Sequence, residues 1–179
     1  MRKIISAVSV LVLGFTLLTP AFAADSNGGR FEQRLYGQVR HELRMIPQVT
    51  IFDNLAYSVN GGTVTLYGQV RDAVVKSVAE ARVKHLEGVE KVDNRIEILP
   101  ASFNDDRIRR QVARAVFGDA RLSRYAMDPL PPIRIIVRNG HVDLEGVVRN
   151  QTDKDSAFIR ANGVPGVFSV DNNLQVEQS

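Results

Sequence analysis

Apolar and polar residues alternate with period two through Leu55, Tyr57 and Val59, and again through Val64 and Leu66. Each run predicts a strand with one buried face. Between them Asn60, Gly61 and Gly62 predict a hairpin turn, where positive φ disfavours a Cβ. The pattern returns 78 residues later, with Ile133, Ile135 and Val137, then Asn139 and Gly140, then Val142 and Leu144. At that offset Gly62, Gly68, Gly88, Val92 and Asn94 fall on Gly140, Gly146, Gly166, Val170 and Asn172 without a gap. One structural unit is written twice.

The rest of the unit follows from the same alignment. Gly68 or Gly146 is expected to let the chain leave the sheet, and Asp72 or Asn150 to cap a helix. That helix carries Ala79, Val83 and Leu86 in one copy, and Ala161 and Val164 in the other, and is expected to end at a C-cap on Gly88 or Gly166. A third strand places Val92, Ile96 and Ile98 on one side, or Val170, Leu174 and Val176. A leading helix is marked by Leu35, Val39 and Leu43, and by Ile108, Val112, Ala115 and Val116, the latter with Asp105 and Asp106 as capping carboxylates. The predicted fold class is α+β: two tandem αββαβ domains, residues 30–99 and 106–178, each with two helices on one face of a three-stranded sheet. A short linker, 100–105, joins them.

Ahead of the repeats, a basic start at Arg2 and Lys3, an apolar run from Ile4 to Leu18 and small residues at Ala21 and Ala23 predict a cleavable export signal, with the cut expected after Ala23. The run is shorter than the roughly 20 residues a spanning helix needs. The chain has no cysteine, so disulfides do not staple its domains. The reading is an exported protein of a bacterial envelope, periplasmic in location.

The run Val64-x-Leu66-x-Gly68-x-Val70, an alanine-bearing helix, then Gly88-Val89-x-x-Val92-x-Asn94 resembles the BON domain family. The second copy repeats it as Val142-x-Leu144-x-Gly146-x-Val148 and Gly166-Val167-x-x-Val170-x-Asn172. The resemblance implies an αββαβ fold, envelope residence and a non-enzymatic role, often described as binding phospholipid or membrane surfaces. It also implies kinship with soluble two-domain OsmY-like periplasmic proteins of stress-protective or chaperone type. Lipidated relatives sit at the outer membrane, and this sequence departs from them in lacking the cysteine they acylate. The matching glycines Gly62, Gly68, Gly88, Gly140, Gly146 and Gly166 are structural and name no ligand.

Candidate chemistry is sparse. His141, Asp143 and Glu145 share one side of a strand, but Thr63, Thr65 and Tyr67 stand there in the first copy, the polar alternation of a solvent-facing strand. No catalytic residues, metal or cofactor are expected, and no Gly-x-Ser-x-Gly elbow occurs. Gly163-Val164-Pro165-Gly166 matches a nucleic-acid-binding GxxG loop only in letters: it has no basic residue and becomes His85-Leu86-Glu87-Gly88 in the other copy. No nucleic-acid partner is expected. Charge separates the copies: residues 31–99 carry nine bases and nine acids, residues 107–179 eleven and eight. Arg107, Arg109, Arg110, Arg114, Arg121 and Arg124 crowd the leading helix of the second copy and the loop after it, which continues through Tyr125, Met127, Pro129 and Leu130. Of these, Arg107, Arg110, Arg114, Arg121 and Arg124, with Tyr125, are the candidate site for an anionic phospholipid surface, contacted peripherally. The alternative is a periplasmic chaperone or envelope-stress protein that binds unfolded envelope proteins through exposed sheet edges.

Overall fold

Both hairpins close where the alternation breaks at glycine. In the computed structural model, which describes residues 26–128 and 131–177, the first domain runs α1 (Ser26–Arg44), β1 (Asn54–Asn60), β2 (Thr63–Val70), α2 (Ala73–Lys84), β3 (Lys91–Asn94) and β4 (Glu97–Ile98). The second runs α3 (Phe103–Phe117), a 3-10 turn at Ser123–Met127, β5 (Ile133–Arg138), β6 (His141–Val148), α4 (Gln151–Asn162), β7 (Ser169–Asn172) and β8 (Gln175–Val176). The leader, with its expected cut after Ala23, and Pro129 and Leu130 lie outside the described residues.

β1 pairs antiparallel with β2, with Val59 opposite Val64, and β5 repeats this against β6, with Val137 opposite Val142. β3 and β7 run parallel to the central strands, a connection that requires the crossover helices α2 and α4. Both crossover helices are capped as predicted. Asp72 accepts from the Val74 amide at 2.8 Å and Asn150 from the Asp153 amide at 2.9 Å.

Four expectations change. Gly68 and Gly146 lie inside β2 and β6 rather than at a strand exit. At φ 110° and 116°, a Cβ would stand 2.1 Å from the Asn54 carbonyl oxygen and 1.8 Å from that of Pro132. The start of the paired strand lies there too close for any side chain. Secondly, α2 and α4 end at His85 and Gly163, so Gly88 and Gly166 belong to the turns that lead into β3 and β7. Thirdly, Ser102 caps α3, accepting from the Asp105 amide. Asp105 is instead buried and accepts the Asn139 and Gly140 amides, both at 2.9 Å, tying the helix start to the second hairpin turn. In the first domain the exposed Glu32, in the second turn of α1, accepts the Gly61 amide at 2.7 Å. Finally, the third strand breaks between Asn94 and Glu97, so the inward positions are Ile96 and Leu99, and Ile98 is exposed.

Each sheet buries its apolar face beneath its own two helices. Leu35, Val39, Leu43, Val64, Leu66, Val75, Ala79 and Val83 pack in the first domain; Ile108, Val112, Val116, Ile135, Leu144, Ala157 and Leu174 pack in the second. The domains also touch. The turn before β1 brings Phe52 against the second core, and the Ile51 carbonyl accepts the Ile135 amide at 2.8 Å. Arg71 pairs with Asp106 at 3.1 Å and Arg138 with Glu97 at 2.6 Å. Both ion pairs are partly exposed, and each contributes at most about 1 kcal/mol.

Candidate functional site

The arginines of the second domain divide according to what their guanidinium groups meet. Arg109 lies on the sheet side of α3 and is buried. It donates to Asp106 at 2.7 Å and to the Val137 carbonyl, a structural role. Arg124 pairs with the buried Asp153, and Tyr125 donates its hydroxyl to the same carboxylate at 2.6 Å. The Tyr125 hydroxyl also accepts the Arg149 amide at 2.9 Å, and burial pushes the phenol's pKa up. Arg124 and Tyr125 therefore lock the loop to the start of α4, and Tyr125 has no ring face to offer a membrane. The loop does not dip outward at this residue, because its hydroxyl finds partners only beneath the surface.

Arg107, Arg110, Arg114 and Arg121 differ: all are exposed, and among the described residues none has an acidic partner. Arg107 is nevertheless held in place, donating to Asn104 at 2.8 Å and to Gln111 at 3.0 Å, above the backbone of Gly166. Arg114 borders an open groove of about 560 Å³ between α3 and α4, lined also by Gln111, Ala115, Ile159, Arg160 and Pro165. Arg160 is neutralised by Asp119 at 2.8 Å. The Arg121 amide, and after it Arg160, holds the Asp119 carboxyl below the usual carboxylate range.

Beside these cations stand apolar residues that helix periodicity does not reveal. Phe103, at the first turn of α3, is 98% exposed; Phe168, in the turn before β7, is 83% exposed; Ile159, on α4, is 66% exposed. Phe168 lies against the Gly140 turn that Asp105 ties to α3, so both phenylalanines belong to one end of the domain. The repeat contained the signal: Phe168 and Ile159 fall on Glu90 and Ala81 of the first copy. Met127 is also exposed.

The polar face of the second sheet offers less. His141 makes a 2.7 Å contact from Nδ1 to the Ser169 hydroxyl and its ring lies 5.6 Å from that of Phe168, while Asp143 sits beside Asp171 in the strand register. Among the described residues no group of three or more metal-ligating side chains gathers, and no helix is long and apolar enough to cross a membrane.

Comparison with known proteins fits this geometry. A stretch of 120 residues, 64% of the chain, is 36% identical to the outer membrane lipoprotein DolP of Haemophilus influenzae. The match spans 58% of that protein's length. Two solved structures of CdsD, a structural protein of the type III secretion system of Chlamydia trachomatis, are also similar. One, of the C-terminal domain, is 14% identical over 80% of this chain and 98% of its own; the other is 16% identical over 81% and 94%. At a TM-score of 0.29 each, that likeness carries no argument. The BON domain pattern matches residues 35–100 and again 104–178, nearly the whole described chain, and the chain therefore belongs to the non-catalytic BON domain family, in two tandem copies.

Proposed function

We propose that this protein binds anionic phospholipid surfaces of the bacterial envelope reversibly, through the α3–α4 face of its second domain. The observation that carries the reading is the combination of four arginines without acidic partners and the exposed Ile159 on that face with the exposed Phe103 and Phe168 at the end of the domain where α3 begins. A cation near an anionic leaflet contributes on the order of 1 kcal/mol, so four arginines alone support only millimolar affinity. Burying two phenylalanines adds roughly 1.5–3 kcal/mol each, enough for micromolar, reversible attachment without a spanning segment. The groove between Arg114 and Pro165 gives a headgroup a place beside its counter-charge. The family membership and the similarity to an outer membrane lipoprotein support the compartment.

The test is co-sedimentation with vesicles. Binding to phosphatidylglycerol-containing vesicles is expected, weakening as salt shortens the Debye length from about 10 Å at 0.1 M. It should fall at least tenfold in Arg110→Glu plus Arg114→Glu, since reversing two charges removes and opposes roughly 2 kcal/mol. Equal binding to neutral phosphatidylcholine vesicles, or none to either, overturns the reading.

A further inference from the structure

The two domains treat the outer edge of their first strand in opposite ways. On β5 the edge is sealed. The Ile135 amide donates to the Ile51 carbonyl, the Val137 carbonyl accepts from Arg109, and the strand carries two further charges, Arg134 and Arg138, which reach the Thr50 carbonyl and Glu97. On β1, which has the same register against its hairpin partner, the corresponding groups are the Tyr57 amide and the Val59 carbonyl. Neither has a partner beyond the sheet among the described residues. The helix position matching Arg109 is Tyr36, whose ring lies 4.6 Å from that of Tyr57 and reaches no strand carbonyl. Seven residues long, β1 has no charge and no proline, the devices that usually keep an edge from pairing.

We infer that the outer edge of β1 is a strand-addition site for an extended segment of another polypeptide, one with alternating apolar side chains and a carboxylate. Three observations select this occupant. A ladder of backbone donors and acceptors is matched by a polypeptide and not by a lipid. The matching edge on β5 is covered by this chain's own turn at Ile51 and Phe52, an internal precedent for capture by peptide backbone. The third observation is charge: the exposed Arg40 follows one helical turn after Tyr36 on α1, on the side of the helix whose Tyr36 ring lies 4.6 Å from that of Tyr57. Tyr57 is the central residue of β1. Two copies pairing β1 to β1 about a two-fold axis would therefore bring their Arg40 side chains together, whereas a foreign segment with an acid opposite Arg40 gains a counter-charge. The exposed rings of Tyr36 and Tyr67 flank the edge and supply apolar surface for alternating side chains, the Tyr67 hydroxyl donating to the Tyr57 carbonyl at 3.5 Å, a bond that an added strand displaces. The site is separate from the arginine face of the second domain and does not rest on the lipid reading.

The test uses the two-domain protein, without lipid, and a heptapeptide alternating valine and tyrosine about a central aspartate. Titration followed by amide NMR and hydrogen exchange should shift signals along β1 and α1 and slow exchange at the Tyr57 and Val59 amides. Arg40→Glu should weaken the complex about fivefold, the worth of one partly exposed ion pair, and a lysine-centred peptide should recover it. Because Arg40 is exposed, this variant leaves the core intact. Shifts confined to the second domain, no change at millimolar peptide, or a concentration-dependent dimer that protects the same amides without peptide would overturn the inference.

Discussion

The two domains are the same fold in the same register, and they differ chiefly where solvent meets them, apart from the buried polar ties of Asp105, Arg109 and Asp153 in the second. In the first, Arg30, Glu87 and Glu90 stand near the helix start and the turn before the third strand; the second has Phe103, Pro165 and Phe168 at the matching places. Conversely, the strand edge guarded by arginines in the second domain is uncharged in the first. The core positions tolerate neither change, because a charge there would be buried without a partner. Duplication therefore preserved the interior and left the surfaces to diverge, one toward an arginine-rich amphiphilic face, the other toward an open edge.

The largest effects test how far the shared interior extends. Gly146→Ala and Gly68→Ala each force a Cβ against a backbone carbonyl at a positive φ that alanine resists. Each should cost about 3 kcal/mol. Urea denaturation followed by domain-specific NMR signals should show the loss mainly in the substituted domain; equal tolerance of either change would mean that the incoming strand can move away, and the shared geometry is then weaker than described.

An intermediate effect belongs to the second domain alone. Tyr125→Phe removes the hydroxyl that donates to Asp153 and accepts from the Arg149 amide, leaving a buried carboxylate short of a donor. A loss of roughly 1–3 kcal/mol is expected, with faster amide exchange across residues 118–128. No change in that loop would return Tyr125 to the list of surface residues.

The smallest effect is electrostatic. Burial, and after it the facing Asp171, raises the Asp143 carboxyl above its ordinary value. The folded state then holds this proton more tightly than the unfolded state, so stability falls as pH rises from the ordinary aspartate pKa of about 3.9 through the raised folded value. Asp143→Asn should raise the melting temperature at pH 7 and lose its advantage below about pH 3. In the first domain Thr65 faces Asp93 at the matching position, so Thr65→Asp should import the penalty. Melting temperatures of both variants at the two pH values check the pair.

Much of this fold could be read from single residues and their spacing. Alternation at Leu55, Tyr57 and Val59 and the Asn139-Gly140 turn specified hairpins because a period of two and a positive φ are local requirements. The roles of Asp105, Arg109 and Tyr125 could not be read this way, since their partners lie roughly 24–35 positions away in sequence and a carboxylate near a helix start looks like a cap wherever it points. Gly68 and Gly146 were legible as glycines, but their reason is a carbonyl of the neighbouring chain standing about 2 Å from where a Cβ would be, which only pairing reveals. Of the candidate arginines, sequence grouped five by proximity; the structure separates Arg124, drawn to Asp153, from Arg107, Arg110, Arg114 and Arg121.

By itself, then, the sequence determined the repeated αββαβ unit, the apolar stripes that form each core and the excess of arginine in the second copy, all properties of local pattern and composition. Tertiary structure decided which charges are already neutralised, which aromatic rings remain in solvent and which strand edge stays unpaired. Those depend on distances between segments far apart in the chain, and a side chain's availability is set by what folding brings beside it.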